Sequence, residues 1–500
     1  MPLRLSRSAV VPVLLSGLGL GLSFPPYPFP FLAWVALVPL LCRWARSPTA
    51  APLLLEAYLA FLLTFAVAFY WPLGHALPSA ALASLTPLLA LPLVMALPFG
   101  ASILVRNHLG PRAGLTALVA CWMLVEGGLS RGPLAFPWTL LGHTQATWLP
   151  LIQMTDVTGV PGLTLWVWLM NLTVVALLQA PARRRPFLVL MLLLALPLAY
   201  GHLRRTTLPA PAGYLTVAVV QPALPAEAWA DVHDTSRIDT LLSLTERLLT
   251  SSTSKPDLIV WPETALPVMP AHDPPRPLRE AVTRWAVPLL TGAIVRMPDA
   301  TYRNSAVLLR PDGSTARYDK QRLVPFAERV PFSDALPWLR PLAVPAGGVA
   351  AYEPGPPATP LDLAGTRLGV LICFESAFGN HPRPYLEQGA GLLVTLTQDG
   401  WWGPTPGYRQ HLALTRLRAV ETRRAVVQVS VSGMTALLLP DGSSAFEVGW
   451  MARDARLARV PLHTTTTVYA RRGDVLTGLA LLVALALAAR TLYAASRSTP

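Results

Sequence analysis

Three short segments of the 500-residue chain carry side chains suited to covalent chemistry, and each follows or ends a run that reads as a β-strand. In the first, Leu258-Ile259-Val260 runs into Trp261-Pro262-Glu263-Thr264. A carboxylate at a strand end points into a cleft at the sheet edge, where apolar rings raise its pKa and suit it to proton transfer; the plainer role is a loop-capping Glu. The second is Tyr318-Asp319-Lys320-Gln321, followed by Val324-Pro325-Phe326-Ala327-Glu328. Only two of the 40 basic residues are lysines, Lys255 and Lys320. A chain that otherwise uses Arg keeps Lys where a compact ammonium fits and a planar guanidinium does not, unless the choice is chance. Glu328 is either a second acid or a surface partner of Arg329. The third is Gly369-Val370-Leu371-Ile372-Cys373-Phe374-Glu375-Ser376. Here a buried-type strand delivers a cysteine to a sharp end, the way nucleophile elbows present their attacking atom. A free thiol, with a pKa of about 8.5, is mostly protonated at neutral pH; a base and a cation nearby would supply the thiolate. An inert buried Cys is the commoner fate of this residue type.

The elements that must hold these residues come in two kinds. From about 202 to 473 the chain alternates short Val-, Leu- and Ile-rich runs with helical stretches. Strands are predicted at Tyr214–Gln221, Asp257–Trp261, Val287–Ile294, Asn304–Arg310, Leu368–Cys373, Leu392–Thr397 and Ala425–Val431. Pro311-Asp312-Gly313 and Pro440-Asp441-Gly442 read as hairpin turns. Helices are expected at Thr235–Ser251 and Tyr408–Arg423, the second with an apolar face of Ala413, Leu417 and Val420. Cys373 is the one cysteine of this region, so no internal disulfide forms there. None of its histidines sits in a Gly-x-Ser-x-Gly context. No Cys/His pair has ligand spacing and no Gly-rich phosphate loop is present, so neither a metal nor a cofactor is expected.

The flanks are different. Charged residues are 13% of the chain, against about 25% in a typical soluble protein. Residues 1–200 hold three acids only, Glu56, Glu126 and Asp156. Apolar runs at roughly 8–24, 29–43, 52–73, 80–104, 113–130, 160–179, 187–201 and 475–490 give about eight transmembrane helices. The first is taken as a retained helix, because no small-residue cleavage site follows it. Basic residues recur at every second connection: Arg4/Arg7, Arg43/Arg46, Arg106/Arg112, Arg183–Arg185 and Arg490/Arg497. The positive-inside rule then sets the N-terminus in the cytoplasm and the polar segment outside. The net charge of +13 thus belongs to membrane topology and gives no reason to expect nucleic acid as a partner.

Trp-Pro-Glu, a Lys in Tyr-Asp-Lys-x-x-Leu-Val-Pro-Phe-x-Glu, and Ile-Cys-Phe-Glu-Ser, in that order, resemble the nitrilase superfamily. With a seven-helix prefix and a single-helix suffix, the chain resembles its apolipoprotein N-acyltransferase family. Phe136-Pro137-Trp138 with Leu141-Gly142, Val220-Gln221-Pro222 with Trp229, and Trp401-Trp402-Gly403 through Gln410-His411 to Arg416, Arg418 and Glu421 are similar to further segments of that family. The chain departs from the family pattern at Gln398, where Asn is usual, and at Ser430-Val431-Ser432-Gly433. These changes bear on substrate positioning.

The resemblance implies a polytopic membrane protein with an inserted α/β domain of αββα layers. Residues 1–201 would form the membrane domain, 202–473 an extracytoplasmic catalytic domain, and 474–500 a last helix with a cytoplasmic tail. It implies ping-pong transfer of a fatty acyl group from a membrane phospholipid to the α-amino group of a diacylglyceryl apolipoprotein, at the cytoplasmic (inner) membrane, by a monomer. Glu263, Lys320 and Cys373 would be the catalytic triad, through a thioester on Cys373. Glu328, Glu375 and the backbone N–H of Phe374 would support it. Trp229, Phe136, Trp138, Trp401 and Trp402 would line the acyl path. Two rivals stand beside this reading. A membrane-anchored amidase would use the same triad with water as second nucleophile, but eight spans exceed what anchoring needs. A transporter or receptor usually carries ionisable residues within its spans, and here Glu56 and Glu126 are the main candidates.

Overall fold

The computed structural model describes residues 7–498 apart from 182, 227, 229, 230, 232, 233, 271, 272 and 345–350. The chain forms two compact units, one of Met1–Tyr70, Ser84–Thr206 and Arg472–Pro500, the other of Trp71–Ala83 and Thr207–Arg471.

The first unit is helical. Among the described residues six helices are long and apolar enough to cross a membrane: Ala50–Gly74, Pro78–Leu109, Pro111–Leu129, Val160–Gln179, Arg184–Thr206 and Val475–Arg497. The expectation of about eight spans meets these six and a shorter apolar helix, Ser8–Gly21. The stretch expected to cross at 29–43 is broken. Pro30 opens a 3-10 turn, Pro30–Trp34, and a nine-residue helix, Val38–Arg46, begins with Pro39 in its first turn. Such a break in an apolar surrounding requires that every freed backbone group find a partner inside the protein. Asn171, fully buried on the helix Val160–Gln179, does much of this. Its Oδ1 accepts from the Leu37 N–H at 2.9 Å, and its Nδ2 donates to the Ala33 carbonyl at 2.8 Å. Gln145 adds a donation to the Pro30 carbonyl at 3.0 Å and accepts from Trp34 Nε1 at 3.1 Å.

Glu126 ties a second irregular stretch. Its carboxylate accepts from Trp122 Nε1 (2.8 Å), the Leu141 N–H (2.7 Å) and Thr164 Oγ1 (2.6 Å). It thereby joins the helix Pro111–Leu129 to the 3-10 turns at 137–145 and to the helix Val160–Gln179. Glu56 forms a two-bond pair with Arg43, at 2.6 and 2.9 Å. Both intramembrane glutamates are thus bound by fixed protein partners.

The second unit is a two-sheet sandwich. Its strands are β1 (Gly213–Gln221), β2 (Leu258–Val260), β3 (Leu266–Pro270), β4 (Leu289–Arg296), β5 (Tyr302–Leu309), β6 (Thr315–Asp319), β7 (Leu361–Leu363), β8 (Thr366–Ile372), β9 (Leu392–Thr397), β10 (Val426–Ser430), β11 (Thr435–Leu438), β12 (Ser444–Val448) and β13 (Asp454–Leu462). One sheet runs β13-β1-β2-β4-β5-β6, with β3 also on β4; the other runs β12-β11-β10-β9-β8-β7. Strands β1, β2 and β4 are parallel, as are β8, β9 and β10, so their C-terminal ends gather.

The core between the sheets is apolar, with Val217, Val219, Val260 and Leu308 facing Val370, Ile372, Val394 and Val427 in one cluster. The outer face of the first sheet packs on the helices Ser236–Ser251 and Arg276–Trp285 through Ile238, Leu241, Leu278 and Val282. The outer face of the second packs on the helix Gly407–Thr422 through Leu412 and Ala419. This gives helix, sheet, sheet, helix in section. The strands with continuous apolar runs are those buried on both faces, which is why they were legible. Shorter or alternating strands, β3, β6, β7 and β11 to β13, lack that signature. Both expected hairpin turns form, with Gly313 at φ 81° and Gly442 at φ 84°. The helix Gly407–Thr422 buries more than one face: within it only Arg409 is exposed and only Arg416 half-buried.

Asn171→Leu removes the partner of two buried backbone groups. It is expected to lower unfolding stability in detergent by about 1–3 kcal/mol, measured as a drop in thermal midpoint that Leu192→Ala, on the exposed face of the helix Arg184–Thr206, does not show.

Candidate active site

Each chemical residue sits where its local sequence forces it. Glu263 stands three residues beyond the end of β2, after Trp261 and Pro262, and Thr264 adopts φ 47°. The turn lies hard against Gly292 of β4, whose N–H donates to the Pro262 carbonyl at 3.0 Å. A Cβ on Gly292 would lie 2.3 Å from the Thr264 nitrogen and 2.5 Å from the Glu263 Cα. Only glycine admits this approach. Lys320 follows β6, its N–H donating to the Asn304 carbonyl of β5 at 2.8 Å. Cys373 follows β8 and begins the 3-10 turn Cys373–Ala377 at φ 50°. A left-handed non-glycine residue costs on the order of 1–3 kcal/mol. Glu375 helps hold it there, accepting the Ile372 N–H at 2.7 Å.

These residues converge. Lys320, 1% exposed, has its Nζ 2.8 Å from Glu328 Oε1 and 3.3 Å from Glu263 Oε1. Asn304 Nδ2 bridges the same two carboxylates, at 2.8 Å to Glu263 and 3.2 Å to Glu328. The other Glu263 oxygen accepts the Gln398 N–H at 2.9 Å. Glu328 Oε2 accepts the Val324 N–H at 2.8 Å, which folds the Val324–Glu328 loop onto its own side chain. Glu375, fully buried, also accepts from Tyr318 Oη and the Gln321 N–H, each at 2.7 Å, and from the Arg322 N–H at 3.1 Å. It thus ties the strand that ends in Lys320 to the turn that holds Cys373.

The electrostatics follow from burial and neighbours. Burial pushes the Glu263 carboxyl up from its ordinary value, against the pull of the Lys320 ammonium. Burial pulls the Lys320 ammonium down, but Glu328 and Glu263 reverse this and hold it well above its ordinary value. Burial, then the Glu263 charge, pushes the Cys373 thiol well up, while Lys320 opposes the rise. The site therefore holds a base that takes up a proton more readily than an ordinary carboxylate, a fixed cation, and a nucleophile at rest as a thiol.

Cys373, Asp399 and His411 each offer a potential metal-ligand atom, all within 4.8 Å of one another. Both His411 ring nitrogens already face oxygen atoms, Nδ1 at 2.6 Å from Asp399 Oδ1 and Nε2 at 3.0 Å from the Cys373 carbonyl.

The remaining expected site residues divide. Trp401 and Trp402 lie in the second unit; the Trp401 ring stacks on His75 at 5.6 Å and the Trp402 ring packs on Trp71 at 4.5 Å. Phe136 and Trp138 belong to the first unit, stacked on each other at 6.4 Å. Trp229 lies outside the described residues. Asn304 and Gly292 were read only as strand residues, and nothing in their local pattern marks them. Asp399 lacked a signal of its own beyond its place after β9.

Two family models match: the apolipoprotein N-acyltransferase N-terminal domain over residues 16–173, and carbon-nitrogen hydrolase over residues 216–470. The chain is 32% identical to apolipoprotein N-acyltransferase of Chlorobaculum tepidum, covering 97% of each chain. It is likewise 32% identical to that of Geobacter metallireducens, covering 96% of this chain and 95% of that one. Among solved structures, a nitrilase-superfamily protein of branch 10 from Saccharomyces cerevisiae aligns at 17% identity with a TM-score of 0.40, over 50% of this chain and 91% of that one.

Gly292→Ala displaces the Glu263 backbone without touching any ionisable group. The folded variant is expected to lose activity roughly 10²-fold, the scale of an ångström-sized misplacement, in a single-turnover assay.

Proposed function

The chain belongs to the apolipoprotein N-acyltransferase family, and from that premise we propose that Glu263, Lys320 and Cys373 carry its acyl transfer, with a membrane phospholipid as donor. The protein is a membrane-bound acyltransferase of lipoprotein maturation within the carbon-nitrogen hydrolase superfamily. The acceptor in this reading is the α-amino group of an N-terminal diacylglyceryl-cysteine. The observation that carries the site assignment is the buried contact of Lys320 with both Glu263 and Glu328 beside a cysteine held at a strained strand end.

In the first half-reaction Glu263 takes the Cys373 proton as Sγ attacks the ester carbonyl. A base is required because the resting nucleophile is a thiol. The oxyanion forms against Lys320 Nζ and the Phe374 N–H; one such donor is worth about 2.7–4 kcal/mol in the transition state. The tetrahedral intermediate collapses, Glu263 returns its proton to the departing alkoxide, and lysophospholipid leaves a thioester. In the second half-reaction the amine attacks that thioester. Glu263 takes the amine proton and gives it to the departing Cys373 sulfur, leaving an amide. Glu328 serves by holding the ammonium between two carboxylates, and Glu375 by fixing the Lys320 and Cys373 segments to each other.

The reading sets the protein in the inner membrane with the catalytic unit outside the cytoplasm, supported by the basic residues at alternate connections. One chain suffices as the working unit, since one compact unit supplies the whole triad. Phe136, Trp138, Trp229, Trp401 and Trp402 remain candidates for contact with acyl chains.

Intact mass after incubation with phospholipid and no acceptor tests the reading. Wild type is expected to gain one fatty acyl group, released by hydroxylamine, and Cys373→Ala to gain none. No adduct on folded wild type, with turnover of a simple amide instead, would replace the transferase assignment of the site by hydrolysis. The rate of adduct formation is also expected to climb with pH as Glu263 ionises. Because burial raises that pKa, the inflection lies above the usual carboxylate range. Glu263→Gln removes the limb altogether.

A further inference from the structure

Behind the nucleophile lies a second buried pair, Asp399 and His411, both 0% exposed. His411 stands in the first turns of the helix Gly407–Thr422, and Asp399 two residues beyond β9. His411 Nδ1 is 2.6 Å from Asp399 Oδ1, an oxygen that also accepts from Thr397 Oγ1 at 2.7 Å. His411 Nε2 is 3.0 Å from the Cys373 carbonyl and 2.8 Å from Ser376 Oγ. The Ser376 hydroxyl, 3.1 Å from that same carbonyl, can turn its hydrogen to either neighbour. Each ring nitrogen still faces an oxygen that can only accept, Asp399 Oδ1 and the Cys373 carbonyl. A neutral imidazole has one N–H and would turn a lone pair on an oxygen; an imidazolium satisfies both contacts.

The contact with the Cys373 carbonyl bears on chemistry through the peptide plane. The Cys373 C=O and the Phe374 N–H belong to one planar trans unit and point in opposite directions. Whatever fixes the carbonyl aims the N–H. A charged donor on the carbonyl also polarises the unit and strengthens the N–H as a donor. We propose that His411, protonated on both nitrogens between Asp399 and the Cys373 carbonyl, is the positioning residue of the oxyanion hole, aiming and strengthening the Phe374 N–H. This rests on the acyl-transfer reading above. A second effect follows from distance. An Asp399 oxygen lies within 4.8 Å of the Cys373 sulfur, where its bare charge would oppose a thiolate. The imidazolium neutralises it. The groups whose charge acts on His411 are Asp399 and Glu263, with Cys373 in direct contact, and the Trp402 ring covers it edge-on at 6.2 Å.

Two reactions of the same sulfur separate this role from a structural one. Acyl-enzyme formation passes through an oxyanion; alkylation by iodoacetamide displaces iodide at carbon and has none. In His411→Gln, acyl-enzyme formation from phospholipid is expected to slow roughly 10- to 100-fold at unchanged half-saturating phospholipid, and alkylation to slow clearly less, by the uncovered Asp399 charge alone. Asp399→Asn keeps the ring and removes its anion. It is expected to slow acylation in the same way while alkylation is unchanged or faster, and the double variant to be no worse than His411→Gln alone. Equal slowing of acylation and alkylation in both variants, or unchanged acylation in either, overturns the proposal. Should His411→Gln fail to fold, Asp399→Asn decides by the same comparison. Wild type without an acyl-enzyme would instead count against the acyl-transfer reading itself.

Discussion

One buried ammonium organises the catalytic unit. Placing a charge out of water costs several kcal/mol unless partners of opposite sign surround it. Lys320 meets that cost with two carboxylates, Glu328 at 2.8 Å and Glu263 at 3.3 Å. The consequence is an asymmetric division of labour. Asn304 touches both carboxylates, but Glu328 is further pinned by its own loop and Glu263 by the turn after β9. Burial leaves Glu263 with a raised proton affinity, and Glu263 is the carboxylate beside the thiol. A site of this kind needs a scaffold that brings three distant segments within hydrogen-bond reach. The two-sheet sandwich does so by ending β2, β6 and β8 at one place.

Strain and close approach carry the remaining precision. Cys373 and Thr264 both adopt left-handed backbone, and Gly292 leaves no room for a methyl group against the Glu263 turn. The Cys373 elbow is tied down from several directions at once: Glu375 at the Ile372 N–H, and Ser376 and His411 at its own carbonyl. A strained residue persists only where surroundings over-determine it, and here the ties are charged or fully buried. The membrane unit uses the same economy, with Asn171, Gln145 and Glu126 satisfying backbone that has left the helix.

Much of this was legible in the chain itself. Glu263 and Cys373 announce themselves as polar residues after apolar strands, and Lys320 by its rarity. The strands before Glu263 and Cys373 are buried on both faces and so read as unbroken apolar runs. Strands β3, β6, β7 and β11 to β13 are short or partly exposed and carry no such pattern. Pro30 and Pro39 sit in the second apolar run, but hydropathy counts residues and not hydrogen bonds, so a broken segment reads as a span. Asn304, Gly292 and Asp399 matter through neighbours 41, 28 and 12 positions away, respectively Glu263, Thr264 and His411. No local pattern encodes such pairings.

The central claim is that the site requires a compact buried ammonium at position 320. The most direct test is the rate of acyl-enzyme formation in Lys320→Arg, which keeps the charge and changes only its shape. A fall of about 10²–10³-fold, the scale of a lost oxyanion donor, in a variant that still folds is the expected result. A rate near wild type would contradict it, since any cation in that cavity would then serve.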